Sequence, residues 1–365
     1  MHPEPRPELS HIPAAIHGAL DFSELDQLGL APETVLDFSM NGNPYGPSPQ
    51  VREALAHVPY DRYPDREALA LCRALAAHLA VPVDQILVGN GSTELVWLAA
   101  LAFIRPGDRV LLVSPTFGEY TRAAVLMGAH IQQHTARRAE NFRVMPPVFM
   151  QALSQTRPRL VCVCTPNNPT GMLLSPDTLV QWALAFPETL FLIDEAYLTF
   201  AAHAPSVLPV RCPNMLVLRS MTKAYALAGL RLGYAVGAPD VLAALRCARP
   251  PWSVNAMAQA AGLAALQDSA HLHTCLESIA QAKIELVAGL RQLGLPPVPS
   301  TTHFFLVRVG DAQHCRQALL QRGILVRDCA SFGLPEYIRI ATRRPEENRR
   351  LLTALEELHP WSASC

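Results

Sequence analysis

Residues 219–234 read R-S-M-T-K-A-Y-A-L-A-G-L-R-L-G-Y. The apolar run at 215–218 predicts a buried strand, so Lys223 falls just beyond a strand's C-terminal end. Small and apolar neighbours strip solvent from Lys223, which disfavours its charged form and lowers its pKa. An amine in that state is nucleophilic and condenses with aldehydes. Arg231 follows eight residues later. A planar guanidinium fork matches the oxygens of a phosphate. The same residues also fit a blander arrangement, a strand end and a loop carrying two solvated cations.

Working outward, the 365 residues suffice for two domains and a large core. Half the residues are apolar and the net charge is -1, which argues against a nucleic-acid stripe or a polybasic membrane patch. No apolar run reaches the roughly 18 residues of a spanning helix. The Pro-rich polar start, M-H-P-E-P-R-P-E-L-S, resembles neither a signal nor a transit peptide, so the expected compartment is the cytoplasm. Nine cysteines without regular spacing argue against a disulfide framework. Cys162 and Cys164 alternate within an apolar run as core thiols. His271, His273 and Cys275 lie in a helical stretch where i and i+2 do not share a face, so no metal site is expected there.

Residues 1–16 read as a loose arm and 17–30 as a short helix. Apolar runs at 86–88, 110–113, 160–164, 190–193, 215–218 and 232–236 alternate with helical stretches. This pattern predicts an α/β fold of buried parallel strands with right-handed crossovers. A polar motif follows most of these runs: G-N-G-S-T-E, S-P-T-F-G-E-Y, T-P-N-N-P-T-G, D-E-A-Y, then the lysine stretch. Open α/β sheets place ligands at that edge. Gly91, Ser92 and Thr93 open a helix, whose free N–H groups suit a phosphate; capping by Ser92 or Thr93 is compatible with that. After Pro250-Pro251 the texture changes to a helical segment at 255–295, then short strands and a closing helix at 345–358, a smaller α+β domain. The expected organisation is an arm at 1–45 packing with the small domain, a large domain at 46–250 and the small domain at 251–365.

Ser220, Lys223 and Arg231 reproduce S-x-x-K with an arginine eight residues on. This motif resembles that of pyridoxal-phosphate (PLP) enzymes of the aspartate-aminotransferase fold. The other strand-end motifs follow in that family's order, and the resemblance runs from about residue 17 to 358. It implies PLP as cofactor, with Lys223 as its amine partner and Asp194 holding the pyridine nitrogen protonated. Asn168 and Tyr197 then face the phenolic oxygen and Phe117 the ring. Gly91, Ser92, Thr93, Ser220 and Arg231 form the phosphate site. Tyr63, in R-Y-P-D, completes the phosphate site of a neighbouring subunit, which implies a homodimer. Arg339, in Y-I-R-I, meets the substrate's α-carboxylate, and Asn43 lines the same end.

Arg327 precedes Arg339 by twelve residues. That spacing resembles two branches that use a second arginine for a phosphate on the substrate. R-S-M-T-K, P-P-W-S-V-N and V-R-D-C-A-S-F-G-L resemble threonine-phosphate decarboxylase, the first expectation, with cobalamin biosynthesis as its setting. Histidinol-phosphate aminotransferase is the alternative. His17-Gly18 resembles the decarboxylase's H-G-G-N arm, which touches the substrate phosphate, although Ala19 and Leu20 replace its last two residues. Two other classes fit poorly. S-x-x-K also marks acylating serine enzymes, but the S-D-N and K-T-G partners are missing. A transcriptional regulator needs a basic DNA-binding module, and the stretch before residue 36 is not basic.

Overall fold

The structure is a computed structural model and describes residues 3–12, 16–209 and 212–358. Residues 1–2 and 13–15 of the arm, and 359–365 at the far end, lie outside the described residues. Strand β1 (Leu36–Asp37) precedes seven strands of one sheet: β2 (Ile86–Asn90), β3 (Arg109–Ser114), β4 (His130–Thr135), β5 (Leu160–Cys164), β6 (Leu190–Asp194), β7 (Met215–Ser220) and β8 (Leu232–Gly237). Their order is β2-β8-β7-β6-β5-β3-β4.

Alternate residues of each strand serve opposite faces. Leu112, Cys162, Leu192 and Leu216 join one buried cluster, while Leu111, Val161, Phe191 and Val217 join another. Helices cover both faces, so each strand reads as a continuous apolar run rather than an alternating one. Cys162 and Cys164 are buried in the first cluster, and burial pushes both thiols far up.

Two expectations about this sheet need correction. β8 is not parallel; it runs antiparallel to both β7 and β2. Only a short loop joins β7 to β8, too little chain for a parallel crossover. The reversal matters, because it brings the N-terminal end of β8, and Arg231 before it, beside the C-terminal end of β7. The second omission is β4, H-I-Q-Q-H-T. It lies at the sheet edge and is mostly open to solvent, so it carries no apolar run to announce it.

The later strands form a separate three-stranded antiparallel sheet, β11-β12-β9, with β9 (Phe304–Arg308), β11 (Arg327–Asp328) and β12 (Tyr337–Ala341). β10 (Ile324–Leu325) pairs in parallel with β1. Phe38 packs with Phe305, Ile338, Leu286 and Leu351 beneath this sheet. The helix expected at 17–30 is only Phe22–Gln27, started by Asp21, whose carboxylate accepts from the Ser23 and Glu24 amides. Residues 16–21 before it are irregular, with a bend at 18–19, and Ile16, His17 and Gly18 line the cavity described next.

Candidate active site

The C-terminal ends of β3, β5, β6 and β7 and the start of β8 meet at one edge of the large sheet. A cavity of about 1060 Å³ opens there, closed on its far side by β11 and β12. Lys223 lines it from the turn after β7. That turn is fastened to the N-terminal segment: the Asn43 amide N–H donates to the Lys223 carbonyl at 3.1 Å, and Asn43 Nδ2 donates to the Ala224 carbonyl at 3.0 Å. Lys223 is half-buried, its amine facing the cavity. Desolvation, then the Arg339 and Arg231 charges, lower its pKa to about 8, against a smaller opposing pull from Asp194.

Asp194 is the last residue of β6 and is buried. Its Oδ2 accepts from the Tyr120 hydroxyl at 2.7 Å and its Oδ1 from the Ala196 amide at 2.9 Å. Burial pushes its pKa up, while those two bonds hold the carboxylate form. Tyr120 was invisible to motif reading. It lies three residues beyond Phe117 in S-P-T-F-G-E-Y, and its ring meets Phe117 edge-on at 5.5 Å.

The helix Gly91–Phe103 begins at the cavity edge. Its N-cap, Asn90, makes no side-chain capping bond, so the first N–H groups stay open to an anion. Arg231 adopts a left-handed backbone at φ 59°, an uncommon conformation for a non-glycine residue. Its guanidinium reaches the helix start: a Cβ on Gly91 would lie 2.8 Å from it. Gly233 permits this closeness, since a Cβ there would lie 2.4 Å from the Ser92 amide nitrogen. Thr93 and Arg231 line the cavity. Ser92 sits beside them at the helix start. Ser220 is buried behind, its hydroxyl 2.7 Å from that of Thr222.

On the opposite wall, Arg327 and Arg339 are directly paired across β11 and β12, so both side chains leave one face of the small sheet. The twelve-residue spacing is therefore a hairpin register. Both are buried, at 3% and 4% exposure, which is unusual for like charges side by side. Arg339 donates to the Asn168 side-chain oxygen and the Ser39 carbonyl. Arg327 donates to the Ser331 hydroxyl at 2.6 Å, the Ile16 carbonyl at 2.9 Å and Asp328 at 3.3 Å. Each guanidinium keeps a buried Nε–H without a partner among the described residues.

Asn168 and Tyr197 line the cavity between these walls. Burial raises the Tyr197 hydroxyl to about 12, with the Arg339 charge pulling the other way. Phe117 and His17 also line it, their rings 5.6 Å apart. Asn43 does not, contrary to expectation. Its side chain is spent on Ala224 and on the Tyr45 amide, as an Asx-type turn requires. Asn41, two residues earlier, lines the cavity instead. It is buried beside the Tyr197 hydroxyl, yet neither atom of its amide makes a well-formed hydrogen bond among the described residues. Tyr63 is away from this chain's cavity, 77% exposed and stacked on Trp252 at 4.4 Å. His271 lies near Cys275 on one helix face while His273 pairs with Glu277, and the described residues contain no metal-binding cluster.

These groups fit PLP. A desolvated amine suits its aldehyde, a buried carboxylate its ring nitrogen, and an uncapped helix start beside an arginine its phosphate. Residues 33–355 match the family model for aminotransferase class I and II. The chain is 39% identical to the histidinol-phosphate aminotransferase of Symbiobacterium thermophilum, over 90% of this chain and 91% of that one. The solved structure of histidinol-phosphate aminotransferase from Sinorhizobium meliloti with pyridoxal-5'-phosphate superposes with a TM-score of 0.84 at 26% identity, covering 96% of each chain. L-threonine-O-3-phosphate decarboxylase from Porphyromonas gingivalis gives 0.77 at 28% identity, covering 88% of this chain and 98% of that one. Aspartate-aminotransferase fold, strand-end site and family model agree: the chain belongs to the class I and II aminotransferase family of PLP-dependent enzymes.

Proposed function

We propose that the chain is an aminotransferase acting on a phosphorylated amine, histidinol phosphate foremost, with 2-oxoglutarate and glutamate as the other pair. The observation that carries this reading is the buried Arg327–Arg339 pair. Two guanidiniums side by side out of water repel each other and need an anion between them. Asp328 meets Arg327 alone, so the pair is left with charge to spare. Histidinol phosphate has no carboxylate, and its dianionic phosphate suits both arginines together. The two carboxylates of 2-oxoglutarate suit them one apiece. Relatives named histidinol-phosphate aminotransferase at 32–39% identity favour this reading over the decarboxylase first expected from local motifs.

Bound PLP supplies an electron-withdrawing ring for the charge left on the substrate's Cα. The chain's part is to hold and move protons. Lys223, with its amine neutral above about pH 8, takes the proton from Cα through Nζ and returns it elsewhere. Asp194, held by Tyr120, keeps a negative charge fixed at its site. Arg327 and Arg339 orient the substrate so that the Cα–H bond, rather than another, faces Lys223.

O-phosphothreonine decarboxylation is the second reading. It is favoured by the local patterns around residues 219–223 and 326–334, and by the neighbouring decarboxylase structure. There Arg339 takes the α-carboxylate, Arg327 the phosphate, and Lys223 only delivers a proton after CO₂ leaves. Presenting both substrates in parallel tests the choice. Amino transfer from histidinol phosphate to 2-oxoglutarate supports the first reading. CO₂ release from O-phosphothreonine without a keto acid would replace it with the second.

We infer that the enzyme works as a homodimer in which exposed Tyr63 reaches the neighbouring phosphate site. A fully active monomer on sedimentation would remove Tyr63 from that role.

A further inference from the structure

Glu119 has no part in the roles assigned above, yet its carboxylate borders the cavity with its side chain only 5% exposed. Two hydrogen-bond donors and the half-exposed ring of His17 converge on it. Trp97 Nε1–H reaches Oε2 at 2.9 Å, Arg122 reaches Oε1 at 2.9 Å, and His17 Nε2 lies 3.2 Å from Oε1. Trp97 belongs to the helix Gly91–Phe103 and Arg122 to Glu119's own helix, Glu119–Leu126, so both are fixed by the large sheet's packing. His17 belongs to the N-terminal arm. Its neighbours touch the two arginines. The Ile16 carbonyl accepts from Arg327 at 2.9 Å. Gly18 lies so close to the Arg339 wall that a Cβ there would sit 2.2 Å from the Ser39 oxygen and 2.9 Å from the guanidinium. Three successive residues thus meet Arg327, Glu119 and Arg339 in turn.

We propose that Glu119 is a positioning residue: acting through His17, it pins residues 16–18 across the Arg327–Arg339 pair, and the pinned arm orients the guanidiniums for the substrate's phosphate. The inference rests on the reading of those arginines as the anion site. Ile16 and Ser331 hold one end of the Arg327 fork and Asp328 the other, which fixes its plane and leaves Nε–H without a partner among the described residues. A fork already oriented gives up less side-chain freedom when an anion arrives. Without the pin, the Ile16 carbonyl leaves and Arg327 turns toward Asp328. Lys223 and Asp194 are untouched by that change, and once substrate is bound its phosphate draws the Arg327 fork back into place, so the loss falls mainly on binding. A Glu119 that merely neutralised Arg122 or propped Trp97 would have no reason to share its effect with His17 or Gly18.

The test is a double-mutant cycle on PLP-loaded enzyme with Glu119→Gln, His17→Gln and both together. It reads KM and kcat for the phosphorylated substrate, and calorimetric binding of inorganic phosphate, which needs no turnover. Each single variant should raise KM and weaken phosphate binding about tenfold, the scale of one hydrogen bond to a charged group. kcat should stay within about twofold, and the double variant should be no worse than either single one. Multiplying effects, or phosphate binding equal to wild type in Glu119→Gln, would overturn the proposal. Should Glu119→Gln fail to fold, Gly18→Ala unseats the arm from its other end and must weaken phosphate binding alike; unchanged binding there also overturns it. Failure of the wild-type enzyme to bind phosphate would overturn both this proposal and the reading beneath it.

Discussion

The two walls of the cavity are built on opposite plans. The wall proposed for the cofactor is made of residues that each lie within a few positions of a strand's end in the large sheet: Asn168 after β5, Asp194 closing β6, Lys223 after β7, Arg231 before β8. The wall proposed for the substrate is assembled from three distant segments: an arm at 16–18, a turn at 39–43 and the β11–β12 hairpin. On the first wall, sheet register brings most of the groups together. On the second, placement depends on long-range contacts such as Arg339 with the Ser39 carbonyl. A site of the first kind is local in sequence; one of the second kind is not, and it touches the first through Arg339 on Asn168 and Asn43 on the Lys223 turn.

The contrast predicts where substitutions should hurt chemistry and where they should hurt binding. The largest effect belongs to Lys223. Lys223→Ala should lose the borohydride-sensitive visible absorbance of the PLP-loaded enzyme and at least about a thousandfold in kcat, within the range of a lost proton carrier plus a lost nucleophile. Because burial and two neighbouring cations depress its pKa, the free amine dominates above about 8 and the ammonium below it. The rate at which cofactor-free protein takes up PLP should therefore rise with pH through about 8 and then level. A rise centred near about 10.4, the ordinary lysine value, would mean that the amine is solvated.

A smaller effect separates the two asparagines of N-G-N-P. Asn43→Ala removes a side chain that ties the Lys223 turn in place, and should lower stability by about 1–3 kcal/mol, since the Ala224 carbonyl and Tyr45 amide lose their partner. Asn41→Ala removes a side chain that makes no well-formed hydrogen bond among the described residues, and should leave thermal stability almost unchanged while raising KM. Reversed phenotypes would show that the turn holds the lysine by some other means.

The same contrast explains what was legible in the sequence. The cofactor wall was readable because an apolar run followed by a polar motif is a local signal, and a strand's end fixes where the motif must go. Even there, the antiparallel β8 escaped notice, because a buried strand carries no mark of its direction. Tyr120 escaped because a tyrosine on a helix looks like core until its hydroxyl is seen on Asp194. On the substrate wall Arg327 and Arg339 were found through their spacing, which the hairpin register explains. Asn43 was placed on the cavity and Asn41 was not, since a turn's sequence does not say which of two asparagines spends its amide on the backbone. Glu119 lies within S-P-T-F-G-E-Y, but its contact with His17 is set by the fold of the arm, which no local pattern encodes.

We propose that the cofactor faces a wall fitted to a phosphate on the substrate. Comparing kcat/KM for the phosphorylated substrate and its dephosphorylated analogue in wild type and Arg327→Ala decides this. Loss of one partner of a buried charge pair is worth about 2–5 kcal/mol. The variant should lose that much on the phosphorylated substrate and little on the analogue, with its PLP absorbance intact. Equal losses on both, or a wild type that turns over both at the same rate, would mean that Arg327 holds no phosphate.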